Sequence, residues 1–116
     1  MQLNVYYIDD EPYLLEIFSD LFSNDEVKIS LFSDPEKLFE TVRKNPPDLM
    51  FIDNRLPNIS GDQIGLCLDQ SIPKVLITGD LSVSCLAKFE VIMQKPFKIK
   101  EIQAILDKHL QIKKSA

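Results

Sequence analysis

Several common signatures are missing from this chain, and each absence excludes something. No stretch is a dense Lys/Arg cluster, and the net charge is −5 at pH 7. Direct nucleic-acid binding needs clustered cations facing phosphates, so it is not expected; a DNA-binding domain on a partner chain is a separate matter. No apolar run approaches the roughly 20 residues of a membrane-spanning helix. The N-terminus, Met1 to Asn4, has no basic region and leads at once into an apolar run, so no secretory leader is expected and the expected location is the cytoplasm. Cys67 and Cys85 stand in apolar surroundings without metal-ligand spacing and are expected to be buried and reduced. The single histidine, His109, has no partner motif for a metal and is expected at the surface. There is no Gly-Lys-Ser/Thr P-loop, and no Ser/Thr/Gly-rich phosphate loop follows the first apolar run, which argues against flavin binding. No repeat, linker or low-complexity segment interrupts the chain.

What remains is ordinary globular composition: hydrophobic residues are 45% and charged residues 27% of 116, too apolar for a disordered chain. That length forms one domain with one core, over residues 1–116, with a tail expected to fray from about residue 112.

The stretch from Asp48 to Gly61 organises the rest. Leu49-Met-Phe-Ile52 is an apolar run that ends in a carboxylate, Asp53, before a turn with Pro57 and Gly61. Four adjacent apolar residues read as a strand buried on both faces, as in a parallel sheet. A charge at its end cannot stay in that core without a partner, so Asp53 belongs where the strand meets solvent. In open α/β sheets that carboxyl edge is where ligands bind.

The remaining chain alternates strand and helix. Leu3–Ile8 is the first strand, and Asp10 with Pro12 starts a helix carrying Leu14, Ile17, Phe18, Leu21 and Phe22. Val27–Phe32 alternates, as a half-exposed strand near an edge does. Asp34 and Pro35 open a second helix with Leu38, Phe39 and Val42 inward, closed by Asn45-Pro46-Pro47. After Asp53 follow a short helix over Asp62–Asp69, a strand over Lys74–Ile77, a weak helix from about Ser82 to Lys88, and a strand over Val91–Met93. The last helix carries Ile99, Ile102, Ile105, Leu106 and Leu110. This order predicts a doubly wound, flavodoxin-like α/β fold: a five-stranded parallel sheet, strand order 2-1-3-4-5, with five helices.

A parallel sheet gathers its carboxyl ends on one edge. Asp9 and Asp10 follow the first strand, Asp53 the third, Thr78 the fourth and Lys95 the fifth. Three neighbouring carboxylates cannot all ionise comfortably, and a hard divalent cation removes that penalty. Mg²⁺ takes oxygen ligands from one or two carboxylates together with phosphate oxygens. The cluster therefore reads as a Mg²⁺ and phosphate site, with Lys95 and Thr78 for phosphoryl oxygens, room beside Gly79, and a carboxylate able to act as nucleophile.

Asp9-Asp10-Glu11, Asp53 with Leu56-Pro57 and Gly61, Leu76-Ile77-Thr78-Gly79 and Lys95-Pro96-Phe97 resemble, in order and spacing, the receiver domain of two-component response regulators, over essentially the whole chain. The resemblance implies a signalling phosphoacceptor rather than an enzyme acting on other substrates. Asp53 would take a phosphoryl group from a sensor histidine kinase or a phosphotransfer protein. Asp10, Asp53 and the backbone carbonyl of Arg55 would hold Mg²⁺, with Asp9 acting largely through water. Lys95 and Thr78 would bind phosphoryl oxygens, and the Lys95–Pro96 peptide would be cis. A downstream protein would dock on the face of the fourth helix, fifth strand and fifth helix, where the weak fourth helix is expected to be mobile.

Three departures qualify the resemblance. Ile92 stands where many receivers carry an aromatic switch, and it cannot exchange a ring between buried and exposed positions. Leu56 replaces the usual methionine. Arg55 and Asp80 flank the site and are expected to pair over it. Two other readings compete: a receiver-like interaction module that is never phosphorylated, and an aspartate-nucleophile phosphatase. The first usually lacks one of the acidic residues or the lysine, all of which are present; the second needs an aspartate where Arg55 stands. No effector domain follows the last helix, so the chain is expected to be either a stand-alone receiver or a piece of a longer regulator.

Overall fold

The computed structural model describes residues 1–80 and 84–116. Its elements are β1 (Leu3–Ile8), α1 (Pro12–Phe22), β2 (Val27–Phe32), α2 (Pro35–Lys44), β3 (Leu49–Asp53), α3 (Gly61–Cys67), β4 (Lys74–Thr78), β5 (Val91–Gln94) and α4 (Ile99–Ser115). All strand pairs are parallel, in the order β2-β1-β3-β4-β5. The three central strands are buried on both faces, as their unbroken apolar runs require, while β2 and β5 are half-exposed edges.

Side chains alternate along each strand, so the sheet feeds two cores. Val5, Tyr7, Phe51, Val75 and Ile77 pack under α1 and α4. Tyr6, Ile8, Met50, Ile52 and Leu76 pack under α2 and α3. None of the described helices is long and apolar enough to cross a membrane.

The local signals at helix starts act as their chemistry dictates in two cases. The Asp34 carboxylate accepts from Glu36 N at 3.1 Å, ahead of Pro35 in the first turn. Ser60 and Gln63 form a reciprocal capping box at α3. At α1 the cap residue is Glu11 and not Asp10, and it makes no side-chain cap bond.

The expected fifth helix is a correction. Four helices occur among the described residues, and residues 84–90 run to β5 without a helix; residues 82 and 83 of the expected helix lie outside the described residues. The buried stripe of α1 is Leu15, Phe18 and Phe22, with Leu21 exposed. Helix α4 runs to Ser115, and Lys113 reaches Asp48 Oδ2 at 2.7 Å.

The histidine and the two cysteines also depart from expectation. His109 is 7% exposed, because the inward stripe of α4 is Ile102, Ile105, Leu106 and His109. Its Nε2 lies 2.9 Å from Glu90 Oε2. Burial would raise the Glu90 carboxyl, but His109 and Lys108 outweigh it and hold it below its ordinary value. Cys67 is exposed and Cys85 half-buried; both are free thiols. Lys74 opens β4 fully buried. Its ammonium donates to Asp69 O at 2.7 Å and Ile72 O at 2.9 Å, while burial pulls its pKa down against the opposing charge of Asp69.

Candidate functional site

Strand register brings the polar strand ends to one level. Ile8 pairs with Ile52, so Asp9 and Asp53, the next residues of β1 and β3, stand side by side. Asp53 pairs with Ile77 and Thr78 with Gln94, so Thr78 and Lys95 follow one step beyond. Asp9 and Asp53 have the same parity as Tyr7 and Phe51, so both point to the face covered by α1 and α4.

The loop after Asp53 is held by a close approach. A Cβ on Gly61 would lie 2.6 Å from Asp53 O and 2.8 Å from Asn54 Cα, both backbone. Gly61 N donates to Asn54 O at 2.9 Å. Only glycine lets α3 begin this close to the strand end. Gly61→Ala is expected to destabilise the protein by about 2 kcal/mol through that overlap and to displace Asp53. Denaturant midpoints check this, and an unshifted midpoint would mean that the loop relaxes freely.

Oxygens of Asp9, Asp10 and Asp53 lie within 4.8 Å of one another. Asp10 is exposed, Asp9 fully buried, and Asp53 only 1% exposed. The Lys95 ammonium reaches over them, 3.0 Å from Asp53 Oδ1 and 3.7 Å from Asp9 Oδ2. The Lys95–Pro96 peptide is cis. Thr78, also buried, lines the same shallow cavity of about 240 Å³ with Asp53, Lys95, Gly79, Asp80, Arg55 and Glu11. A Cβ at Gly79 would meet nothing within 4 Å, so there is room beside it. The Arg55 guanidinium lies 3.6 Å from Asp80 Oδ1 at the rim.

The two buried carboxylates differ in how they are satisfied. Asp9 accepts from Tyr7 OH at 2.6 Å and from Glu11 N at 3.0 Å. Among the described residues, neither oxygen of Asp53 receives a hydrogen bond of sound geometry, so the Lys95 approach is a charge contact out of hydrogen-bond alignment. Burial raises the Asp53 carboxyl above its ordinary value, and the charges of Asp9 and Asp10 add to this, while Lys95 acts against it. Lys95 is disfavoured by its own burial, yet Asp53, Asp9 and Glu11 outweigh that and hold it above its ordinary value. Tyr7 is pushed far up by burial and by the Asp9 carboxylate, so it stays a donor.

All the strand-end residues expected to meet therefore do meet. Tyr7 was missed, although it lies two residues before Asp9 in one strand, the spacing that puts two side chains on one face. The arrangement is an all-oxygen donor set around an unsatisfied buried carboxylate, with one ammonium and one hydroxyl beside it. Such a set suits a small hard cation, because the buried Asp53 oxygens receive no hydrogen bond among the described residues and one ammonium faces three carboxylates.

Comparison with known proteins agrees with this geometry. The DNA-binding response regulator MtrA of Mycolicibacterium smegmatis is 26% identical over 111 residues, covering 90% of this chain and 49% of the relative. MtrA of Mycobacterium tuberculosis is 25% identical, with the same coverage. The chain thus spans about half the length of the curated relatives it matches. The signal receiver domain of an HD domain-containing protein from Pseudomonas fluorescens superposes with a TM-score of 0.87 at 17% identity, over the whole of both chains. The receiver domain of a sensor histidine kinase from Pseudomonas aeruginosa, with a magnesium ion coordinated in its active-site cleft, has a TM-score of 0.82 at 20% identity, covering 96% of this chain and 99% of that one. The pattern of the response regulator receiver domain matches residues 5–107, and with the strand-end carboxylates, lysine and threonine in one pocket this chain belongs to the response regulator receiver domain family.

Proposed function

We propose that the chain is a phosphoacceptor that takes a phosphoryl group onto Asp53 from a phosphohistidine of a sensor histidine kinase or phosphotransfer protein, in a Mg²⁺-dependent reaction, and signals by conformational change. The observation that carries this reading is the Asp53 carboxylate: buried, without a hydrogen-bond donor among the described residues, and facing an ammonium at 3.0 Å in an open cavity. Asp10, Asp53 and the Arg55 carbonyl would hold Mg²⁺, with Asp9 acting through water; the ion would neutralise charge on the transferring phosphoryl group.

The chain's own groups account for the rest. An Asp53 oxygen attacks phosphorus; the new O–P bond forms as the N–P bond breaks, and the departing imidazole takes a proton from solvent. Catalysis of such a loose transfer is mostly positioning and charge stabilisation. Lys95 would hold one phosphoryl oxygen and the Thr78 hydroxyl another; both line the cavity with Asp53. Asp9, held by Tyr7 and Glu11 N, keeps Lys95 drawn over the site. The downstream partner would meet the face made by residues 84–90, β5 and α4, where Ile92 is 47% exposed on an edge strand. The compartment is the cytoplasm, in keeping with two free thiols.

The test is acetyl phosphate with Mg²⁺. One phosphoryl mass should be added, and none in Asp53→Asn. Sustained phosphate release from many substrates would favour a phosphatase instead, and no mass change in the parent protein would leave an unphosphorylated interaction module.

Arg55 and Asp80 pair at the rim, where they would screen the path of a hydrolytic water. The Arg55 side chain is 87% exposed, so the pair is worth at most about 1 kcal/mol. Arg55→Ala should therefore shorten the phosphoform half-life by no more than about fivefold. An unchanged half-life would remove the pair from the mechanism.

A further inference from the structure

Residues 84–90 reach β5 without forming a helix, so their backbone donors must be satisfied in some other way. One carboxylate from α3 takes two of them. Leu86 N donates to Asp62 Oδ1 and Oδ2 at 3.1 and 3.0 Å, and Ala87 N donates to Oδ1 at 2.8 Å. Three residues along the same helix face, Gly65 is buried. A Cβ there would lie 2.9 Å from Ala87 Cβ and 2.9 Å from Phe89 Cζ. Asp62 and Gly65 thus form one seat: an anion for two consecutive amides, and a notch for a methyl group and a ring. Ala87 is buried in it, while Leu86 is 84% exposed.

The seat is tied to the Asp53 pocket through the start of α3. Asp62 follows Gly61, which is fastened to the loop after Asp53. Inside the pocket the Asp80 amide donates to Thr78 Oγ1 at 3.1 Å. Downstream, Glu90 N donates to Lys74 O at 2.9 Å.

We propose that Asp62 is a clamp that holds residues 86–89 on α3 in the unphosphorylated protein, and that a phosphoryl group on Asp53 releases it. This rests on the phosphoacceptor reading. A phosphoryl group brings bulk and negative charge beside Gly79 and Asp80. It displaces the loop after Asp53, and Gly61, whose N–H is fastened to Asn54 O, passes that shift to its neighbour Asp62. By linkage, a clamp that must open on binding weakens binding by the factor it favours the closed state, so removing it tightens binding by the same factor.

Amide hydrogen exchange and beryllofluoride titration with Mg²⁺, both on the full chain, test this. In metal-free protein Asp62→Ala should speed exchange at Leu86 and Ala87 about tenfold or more, because a charge-assisted contact is lost. Asp62→Asn, which keeps one acceptor oxygen, should fall between. Beryllofluoride should bind Asp62→Ala more tightly by a similar factor. Unchanged exchange at both amides would overturn the clamp, and unchanged beryllofluoride affinity would overturn its link to the pocket. If Asp62→Ala fails to fold, Gly65→Ala must loosen the same amides by crowding Ala87 and Phe89. A parent protein that binds no beryllofluoride would overturn the phosphoacceptor reading and the link together, while exchange would still decide the clamp.

Discussion

Asp53→Asn is expected to melt above the parent protein in metal-free buffer at pH 7, and to gain nothing from Mg²⁺. The parent buries a carboxylate whose oxygens have no hydrogen-bond donor among the described residues. Leaving such a group unsatisfied costs about 1–3 kcal/mol, and a neutral amide escapes most of it. For a domain of this size that is roughly 4 °C in Tm for each kcal/mol. Lys95 loses its nearer partner in the variant but keeps Asp9 at 3.7 Å, and a quarter of its side chain reaches solvent, so its own cost is smaller.

The sign of the pH dependence follows from the raised Asp53 carboxyl. The native state keeps the proton to a higher pH than the unfolded chain, so it binds more protons in the window between the two values. Stability from this group is fully present below the unfolded value of 3.8 and is lost as pH rises through the folded one. The advantage of Asp53→Asn should therefore open above pH 3.8 and close below it. Melting curves in chelator across that range decide the matter; a gap of constant size would show that burial of the charge is not its source. Mg²⁺ should raise the melting point of the parent by mass action and leave the variant where it is.

Lys95→Met should do the opposite in chelator. It removes the one cation within 4 Å of Asp53 and Asp9 among the described residues and leaves two buried carboxylates facing each other. Breaking a buried pair from one side costs about 3–5 kcal/mol; because Lys95 is a quarter exposed, about 2–3 kcal/mol is the better expectation here. Millimolar Mg²⁺ should return most of that stability, since it supplies positive charge to the same oxygens. Phosphorylation by acetyl phosphate should still fall about a hundredfold, because the proposed donor to a phosphoryl oxygen is gone. Stability and reactivity would thus separate in one variant. If Mg²⁺ did not restore the melting point, the three carboxylates would not form a cation site.

The two variants bracket one electrostatic arrangement. On the proposed reading, an acidic pocket that is uncomfortable alone becomes comfortable with a cation, and the same discomfort would leave Asp53 available as a nucleophile. Asp9 does not share this state, since Tyr7 and Glu11 N already satisfy it. Two aspartates beside each other in space are thereby divided into a held one and an available one.

Much of this could be read from the order of residues. Asp9, Asp53 and Thr78 directly follow apolar runs and Asp10 and Lys95 stand one residue further on, and a parallel sheet brings such strand ends to one edge, so the meeting of these five residues was legible from local pattern. The sheet order followed from the same alternation of strand and helix. Only the folded chain decided which side chains turn inward where helical phase and burial compete. His109 points in because it shares a stripe with Ile102, Ile105 and Leu106, and Cys67 points out at the end of a short helix. Lys74 is buried because two carbonyls from the preceding turn need its ammonium. The path of residues 84–90 is set by Asp62, some two dozen residues earlier. Periodicity records how a segment relates to its own neighbours; it carries no term for a partner that reaches it only after the chain has closed.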